Sequence, residues 1–515
     1  MLLPELLRQS ARKFPDKPAF IFPAARLSFG ELDAMSDRFA RRLRAHGIQR
    51  GARVGIISEN TPAAIAAFWG VLKSGAESVD LPAQAGLPTL ELVVEEAKPR
   101  AVFVDGKLIF KIFGEKRPAV FPELLFTTAD GRADAEKLGF KTEIVDEIMA
   151  SGDGEAPSLS GTQEDDVAMI VYTSGTTGRP KGVMLSHRNL YSNISSANSL
   201  VGLTDADSIL LVVPFYFIHG RMQILTHAMI SGTIVVSAGF QFPTVVLDEL
   251  KKHETSGFSG VPYHFITLME RTKLKETPLP KLRYVLCTGG AMSLQNLDEL
   301  HAAIPNTGIH TAYGQTEASP RITYIGPSEI FVKRGSAGKE LPGVRVDIVD
   351  GEGRALARGQ IGEVAVAGPN IMKGYVSGDE KSSGRIDAEG RLRTGDLGRI
   401  DEDGHLFLVG RSSDMIKTAG ERVFPKEVED VVLSHPSVSE AAVIGVKDPA
   451  LGEKIVTMVV LKEGATLTLA ELRTHCVKVM PFVRAPRELK ILAALPKTAS
   501  GKINRGGLQE LWAKS

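Results

Sequence analysis

The sequence predicts a multidomain α/β protein, and three observations carry that reading. A strand-like segment followed by a helix-like one recurs through roughly the first 320 residues, which favours a mostly parallel sheet with helices on its faces. From about residue 330 short apolar segments alternate with glycine turns. After Val409–Asp414, "VGRSSD", helical and strand patterns alternate again over about 100 residues, enough for a compact α+β domain.

The elements justify themselves in order. "LSFGELDAMSDRFARRLRAHG" (Leu27–Gly47) reads as a helix: Ser28 and Glu31 form a capping box, Leu32, Met35, Phe39 and Leu43 line one face, and Gly47 ends it. "RVGIIS" reads as a strand. "TPAAIAAFWGVLKSG" then reads as a helix with Thr61 as cap, Pro62 in the first turn and Gly75 past the end. "VAMIVYT" (Val167–Thr173) is a buried strand, and "SHRNLYSNISSAN" a helix capped by Ser186. "VRVDIVD", "GEVAVAG" and "GHLFLVG" form a small antiparallel unit. Beyond it, "KEVEDVVLSH" and "TLAELRTHCVKVM" are helical, while "EAAVIGV" and "KIVTMVVL" are strands.

At 515 residues the chain is too long for one hydrophobic core. Sixty-one basic residues cancel 61 acidic ones, which argues against nucleic acid or an anionic membrane as the main partner. The two cysteines, Cys287 and Cys476, lack metal-ligand spacing and read as buried thiols of a reducing cytoplasm. Glu5 and Arg8 interrupt the N-terminal apolar run, so no signal peptide is expected. The longest apolar run, Ile209–Ile218, is too short for a membrane span.

"TSGTTGRPKG" (Thr173–Gly182) follows the Val167 strand, at the carboxyl end of a strand in a parallel sheet, where ligands usually bind. Gly175, Gly178 and Gly182 permit positive φ and close backbone approach. Backbone N–H groups with the hydroxyls of Thr173, Ser174, Thr176 and Thr177 make an anion-binding concavity, and Lys181 adds a charge. The pattern is not a Walker loop, because Pro180 stands where that motif has its second glycine. A plain surface turn has no need of four hydroxyls and a lysine. A phosphate chain is the natural guest.

Three further segments accompany this loop: "YGQTEASP" (Tyr313–Pro320), "RTGDLG" (Arg393–Gly398) with Gly410 and Arg411 downstream, and "PKTASGKINR" (Pro496–Arg505). "CTGGAMS" (Cys287–Ser293) and "GEVAVAGPNIMKGY" (Gly362–Tyr375) lie between them. Together, and in this order, they resemble the adenylate-forming superfamily of acyl-CoA synthetases, aryl-CoA ligases, luciferases and peptide-synthetase adenylation domains, over nearly the whole chain. The resemblance implies a large N-terminal domain, residues 1–411, of two parallel-sheet α/β subdomains to about 325 and a β-barrel-like subdomain from about 326. It implies a mobile α+β C-terminal domain over 412–515.

The implied activity is an ATP-dependent acid–thiol ligase; the alternative is a stand-alone adenylation enzyme for a carrier protein or a non-catalytic nucleotide-binding relative. A carboxylic acid, fatty or aromatic, becomes an acyl-adenylate and then passes to CoA or to the phosphopantetheine thiol of a carrier protein. By resemblance Lys502 bridges the substrate carboxylate and the α-phosphate, although a lone lysine near a C-terminus is ordinarily a solvated one. Glu317 helps hold Mg²⁺, with Thr173 beside the metal and phosphates, and Thr316 contacts phosphate. Tyr313 stacks on adenine, Asp396 takes the ribose hydroxyls, and Arg411 faces the ribose from the domain junction; in isolation Asp396 would read as a turn residue. Gly289, Gly290 and Ala291, with Gly314 and Gln315, let the backbone approach the nucleotide. The hinge position, commonly Asp or Lys, is Ser413, followed by Asp414. Lys417, Gly420 and Arg422 belong to the thiol side.

The acyl pocket is less legible. Phe217 stands where the family often has histidine, and His219 comes two residues later. Phe215, Tyr216, Met222, Val261 and Tyr263 suggest apolar and aromatic walls. No aspartate lies between Pro214 and Gly232, which argues against an amino-acid substrate. Arg221 and Arg321 are candidates to meet a second carboxylate, although arginines on a helix surface usually do not. A monomer or homodimer is expected.

Overall fold

The computed structural model describes residues 1–152, 155, 157–159, 161–174, 180–378, 384–497 and 503–513. The helix Phe29–Ala45 begins at Ser28 with the expected reciprocal capping box to Glu31. Thr61 caps Pro62–Ser74, which ends at Gly75 with φ +88°. Such a left-handed C-terminal residue favours glycine.

Two sheets dominate the first 375 residues. One has eight strands in the order Gly374–Tyr375, Pro180–Ser186, Val167–Ser174, Glu77–Leu81, Arg53–Ile57, Ala101–Val104, Leu124–Thr127 and Lys141–Ile144. The six from Val167–Ser174 onward run parallel. The other has nine strands, whose parallel centre is Gly308–Gly314, Tyr284–Thr288, Gly257–Gly260, Ser208–Leu211, Thr233–Val236 and Pro18–Ile21. Arg321–Ile325 continues this sheet antiparallel to Gly308–Gly314.

One local expectation is refined. The strand Val167–Ser174 is parallel to Glu77–Leu81, as expected, yet the "TSGTTGRPKG" loop joins it to an antiparallel partner, Pro180–Ser186. The loop therefore closes a hairpin, and the helix capped by Ser186 starts only after that second strand.

The barrel-like unit is a four-stranded antiparallel sheet in the order Arg345–Val349, Gly362–Ala367, Leu392–Ile400, Leu406–Arg411. Its last strand is tied to the large sheets by Ala337 N–H to Leu406 O and Leu406 N–H to Gly338 O. Beyond it, Val438–Asp448 and Gly452–Leu461 form a long antiparallel pair, flanked by Ile416–Thr418 and Glu421–Val423 on one side and by the parallel strand Glu488–Ile491.

Burial follows the same division. The main apolar core runs from Leu3 to Leu406, whereas two separate cores beyond it contain nothing before Ile416. Polar contacts cross the junction: Ser439 Oγ donates to Glu270 at 2.8 Å, and Lys497 Nζ stands 4.1 Å over the Tyr263 ring. No helix among the described residues is long and apolar enough to cross a membrane.

Candidate functional site

Thr173 and Lys181 face each other in register at the mouth of the hairpin. Lys181 Nζ lies 5.3 Å from the centroid of Tyr375, which enters on the two-residue strand paired to Val183 and Met184. Tyr375 is buried and donates its phenolic hydrogen to Glu317 Oε1 at 2.8 Å. Glu317 sits in the short 3₁₀ turn Thr316–Ala318, whose backbone is fixed by Met372 N–H to Glu317 O at 2.9 Å. Arg385 Nη2 lies 3.6 Å from the same carboxylate oxygen. Lys181, Tyr375, Glu317 and Arg385 thus form one chain of contacts beside the mouth of the hairpin.

A second group lies beside it. Asp396, 8% exposed, accepts from the Tyr313 hydroxyl at 2.7 Å and from Arg411 Nε at 3.1 Å. Asp396 and Arg411 are register partners on adjacent antiparallel strands, so the sheet itself sets this pair. An ionised carboxylate has about four acceptor positions, so two remain for other donors. Arg385 joins the groups electrostatically: burial opposes its charge, but Glu317, Tyr375 and Asp396 outweigh it and raise its pKa. Burial first, and Asp396 second, push the Tyr313 phenol well above its ordinary value. Tyr375 is raised by burial and by Glu317. Both phenols therefore stay protonated and act as donors.

The walls of the cleft are backbone-rich. Gly289 has φ +81°, and a Cβ on Gly290 would meet nothing nearer than Pro262 at 3.5 Å. Gly314 is more constrained: a Cβ there would lie 1.8 Å from Pro320 O, so only glycine fits. Gly289, Gly314, Gln315 and Thr316 are half-exposed, and Gly290 and Ala291 fully so.

The remaining predicted residues divide. Gly175, Thr176, Thr177, Gly178 and Lys502 lie outside the described residues, as does the side chain of Ser174. Lys497 and Ile503, which flank Lys502 in sequence, are bridge partners. Phe215 and Met222 belong to the main core, Phe215 packing edge-on against Phe20 at 6.2 Å. Tyr216 is buried, and Phe217 stands against it at 4.5 Å. His219 Nε2 lies 2.7 Å from Ser259 Oγ, at the end of the Gly257–Gly260 strand. Val261 and Tyr263 follow that strand, Tyr263 beneath Lys497 and 5.9 Å from Phe240. Lys417 and Arg422 are exposed cross-strand partners, and Gly420 turns between their strands with φ +82°.

One expectation is corrected. Arg221 is not a surface arginine: it is 1% exposed and holds Asp80 bidentately at 2.6 and 2.9 Å, with its guanidinium 4.0 Å over Phe68. Arg321 is not on a helix either; it opens the strand Arg321–Ile325. Tyr375 and Arg385 were not singled out from sequence. Tyr375 closes the "GPNIMKGY" segment and was within reach, whereas Arg385 lies in a stretch without a motif.

Residues 7–376 match the family described as AMP-binding enzyme, and residues 427–502 match the AMP-binding enzyme C-terminal domain. Oxalate–CoA ligase of Arabidopsis thaliana is 31% identical over 97% of this chain and 96% of its own. The o-succinylbenzoate CoA synthetase of Bacillus subtilis, in complex with its acyl-adenylate, aligns with a TM-score of 0.82 at 29% identity, covering 98% of this chain and 97% of its own. That enzyme has also been solved with ATP and a magnesium ion. ATP-bound MatB of Rhodopseudomonas palustris aligns with a TM-score of 0.84 at 28% identity, covering 99% of each chain.

Proposed function

The chain belongs to the AMP-binding enzyme family and is an AMP-forming acyl-CoA synthetase, and from that premise we propose how its own residues divide the reaction. In the first half a carboxylate oxygen attacks the α-phosphorus of ATP; the bond to the β-phosphate oxygen breaks and pyrophosphate leaves. In the second a thiol sulfur attacks the acyl carbon, the bond to AMP breaks, and the thiol proton is lost.

The first step brings an anion to a polyanion. At 4 Å and an effective dielectric near 20, each unit charge pair costs about 4 kcal/mol, so cations must stand where the charges meet. Lys181 and Thr173 serve the phosphates at the hairpin mouth, together with the loop residues between them. Glu317 is the metal-side carboxylate. One carboxylate suits Mg²⁺, which takes one or two from protein and fills its octahedron with phosphate oxygens and water. When bound, Mg²⁺ neutralises phosphate charge. Tyr375 and Arg385 hold Glu317 in place for it. Asp396 receives the ribose hydroxyls in its two remaining acceptor positions, and Tyr313 presents its ring to adenine while its hydroxyl anchors Asp396. Lys502 supplies the cation between carboxylate and α-phosphate.

Rotation of residues 412–515 about Ser413 then exchanges Lys502 for the face carrying Lys417, Gly420 and Arg422. Two like charges directly opposed on a ribbon destabilise it. Among the described residues neither Lys417 nor Arg422 has an ion-pair partner, which suits a face that receives the phosphates of CoA or of a phosphopantetheine arm. Phe217, His219, Val261 and Tyr263, with Phe240 behind, favour an acid with an aromatic or alkyl body.

The observation that carries this reading is the pair of anchored carboxylates, Glu317 under Tyr375 and Asp396 between Tyr313 and Arg411. Pyrophosphate release over a panel of carboxylic acids tests it, followed by mass detection of the thioester with CoA or with a phosphopantetheinylated carrier. Absence of acid-dependent pyrophosphate release would overturn it.

A further inference from the structure

Apart from histidine, four basic side chains are buried among the described residues: Lys73, Arg221, Arg321 and Arg391. Three have carboxylates. Lys73 holds Asp33 at 2.5 Å and Asp37 at 2.8 Å, Arg221 holds Asp80, and Arg391 holds Asp387 at 2.8 Å. Arg321, 7% exposed, meets no carboxylate among the described residues, and its Nη1 is enclosed without a hydrogen-bond partner. Burial draws the Arg321 pKa down to about 10, which still leaves it charged at neutral pH.

An uncompensated buried charge is among the most unfavourable features a fold can keep. Arg321 does not stand alone. Gln315 Nε2 and Ser319 Oγ, six and two residues away along the segment that opens the strand, are also enclosed and without partners. All three are donors. The guanidinium and the amide are donors only at these atoms, so the missing partner is an acceptor, and an anion would also compensate the charge.

The place fits a substrate. Arg321 is the register partner of Gly314, which is half-exposed in the cleft wall. The preceding Tyr313 points the other way along the strand, toward Asp396. Pro320, next to Arg321, is also half-exposed.

We propose that Arg321, with Gln315 and Ser319, binds a second carboxylate of the acid, so that this enzyme takes dicarboxylic acids. One carboxylate reacts with ATP, and the other accepts from the guanidinium fork at the far side of Gly314. This deepens the acid-activation reading and rests on it.

The test compares each diacid with its own half-ester, which keeps the reactive carboxylate and the carbon skeleton but loses the second charge. Pyrophosphate release is measured for wild type, Arg321→Leu and Arg321→Lys. Removing one partner of a buried charge pair costs roughly 30-fold or more, so wild type should favour the best diacid over its half-ester by about 100-fold in kcat/KM. Arg321→Leu should abolish that preference while the half-ester rate holds, and Arg321→Lys, which keeps the charge without the fork, should fall between. A wild-type ratio near one overturns the proposal even if neither variant folds, as does an unchanged preference in Arg321→Leu. Release with no acid at all, diacid or half-ester, overturns the parent reading instead.

Discussion

Arg505 reaches back to Asp414 at 3.3 Å, joining the residue three positions past Lys502 to the one directly after Ser413. The same guanidinium donates to Val443 O at 2.6 Å and to the half-buried Glu429 at 2.9 Å. The proposed hinge position and the foot of the lysine segment are therefore tied to one another within the C-terminal unit. A rotation about Ser413 would move them together.

Ser413 lies in the 3₁₀ turn Ser412–Asp414. A 3₁₀ turn has φ of roughly −50° to −70°, close to the value proline imposes. Ser413→Pro should therefore be accepted in this conformation and hold it. Adenylate formation should persist at near wild-type rate while thioester formation falls by at least tenfold. Loss of both half-reactions in equal measure would place the pivot elsewhere.

Tyr375→Phe removes the hydrogen bond to Glu317 and leaves the ring beside Lys181. A hydrogen bond to a charged group contributes about 1.5–3 kcal/mol, so the Mg²⁺ concentration for half-maximal adenylation should rise roughly tenfold or more. The KM for the acid should not move. A shift in acid KM with Mg²⁺ dependence intact would show that Tyr375 serves the acyl side.

Much of this site was legible because its determinants are local. The Ser28–Glu31 and Thr61 caps lie within single turns, and Asp396 and Arg411 each sit in a short motif that the sheet then brings into register. The second strand of the hairpin was not read, since "PKGVMLS" opens on proline, lysine and glycine and lacks clean alternation. The Asp80–Arg221 pair spans 141 residues, so nothing near Arg221 in sequence announces that it is buried and paired. Arg321 is the converse: its meaning lies in a missing partner, and a sequence cannot show that.

His187 supplies a pH test independent of catalysis. Its ring is buried, and its Nδ1 accepts from Leu3 N–H at 3.2 Å, which requires the neutral form. Burial lowers its pKa from 6.5 to about 4. Between those values the unfolded chain binds a proton that the folded one refuses, so stability is full above pH 6.5 and falls as pH drops toward 4. At roughly 1.4 kcal/mol per pH unit, the loss at pH 5 is about 2 kcal/mol. His187→Asn keeps an acceptor near Nδ1 and removes the titration. Urea unfolding at pH 7.5 and pH 5 should show a smaller acid loss in the variant; the same loss in both proteins would refute the assignment.

Lys502 gives the sharpest separation of the two half-reactions. Its neighbours Lys497 and Ile503 bridge one another, and Lys497 stands over Tyr263 beside the cleft. In the proposed reaction Lys502 meets carboxylate and α-phosphate only while they approach. Lys502→Ala should therefore lose about 3–5 kcal/mol of transition-state stabilisation in adenylation, or roughly 10²–10³-fold or more in rate. Because the proposed rotation withdraws this lysine before the thiol arrives, the variant supplied with a synthetic acyl-adenylate and CoA should form thioester at close to the wild-type rate. Both measurements belong on one preparation. Normal adenylation would remove Lys502 from the chemistry. Failure of both steps in a folded variant would mean that one conformation serves both, and that the Ser413 rotation does not occur.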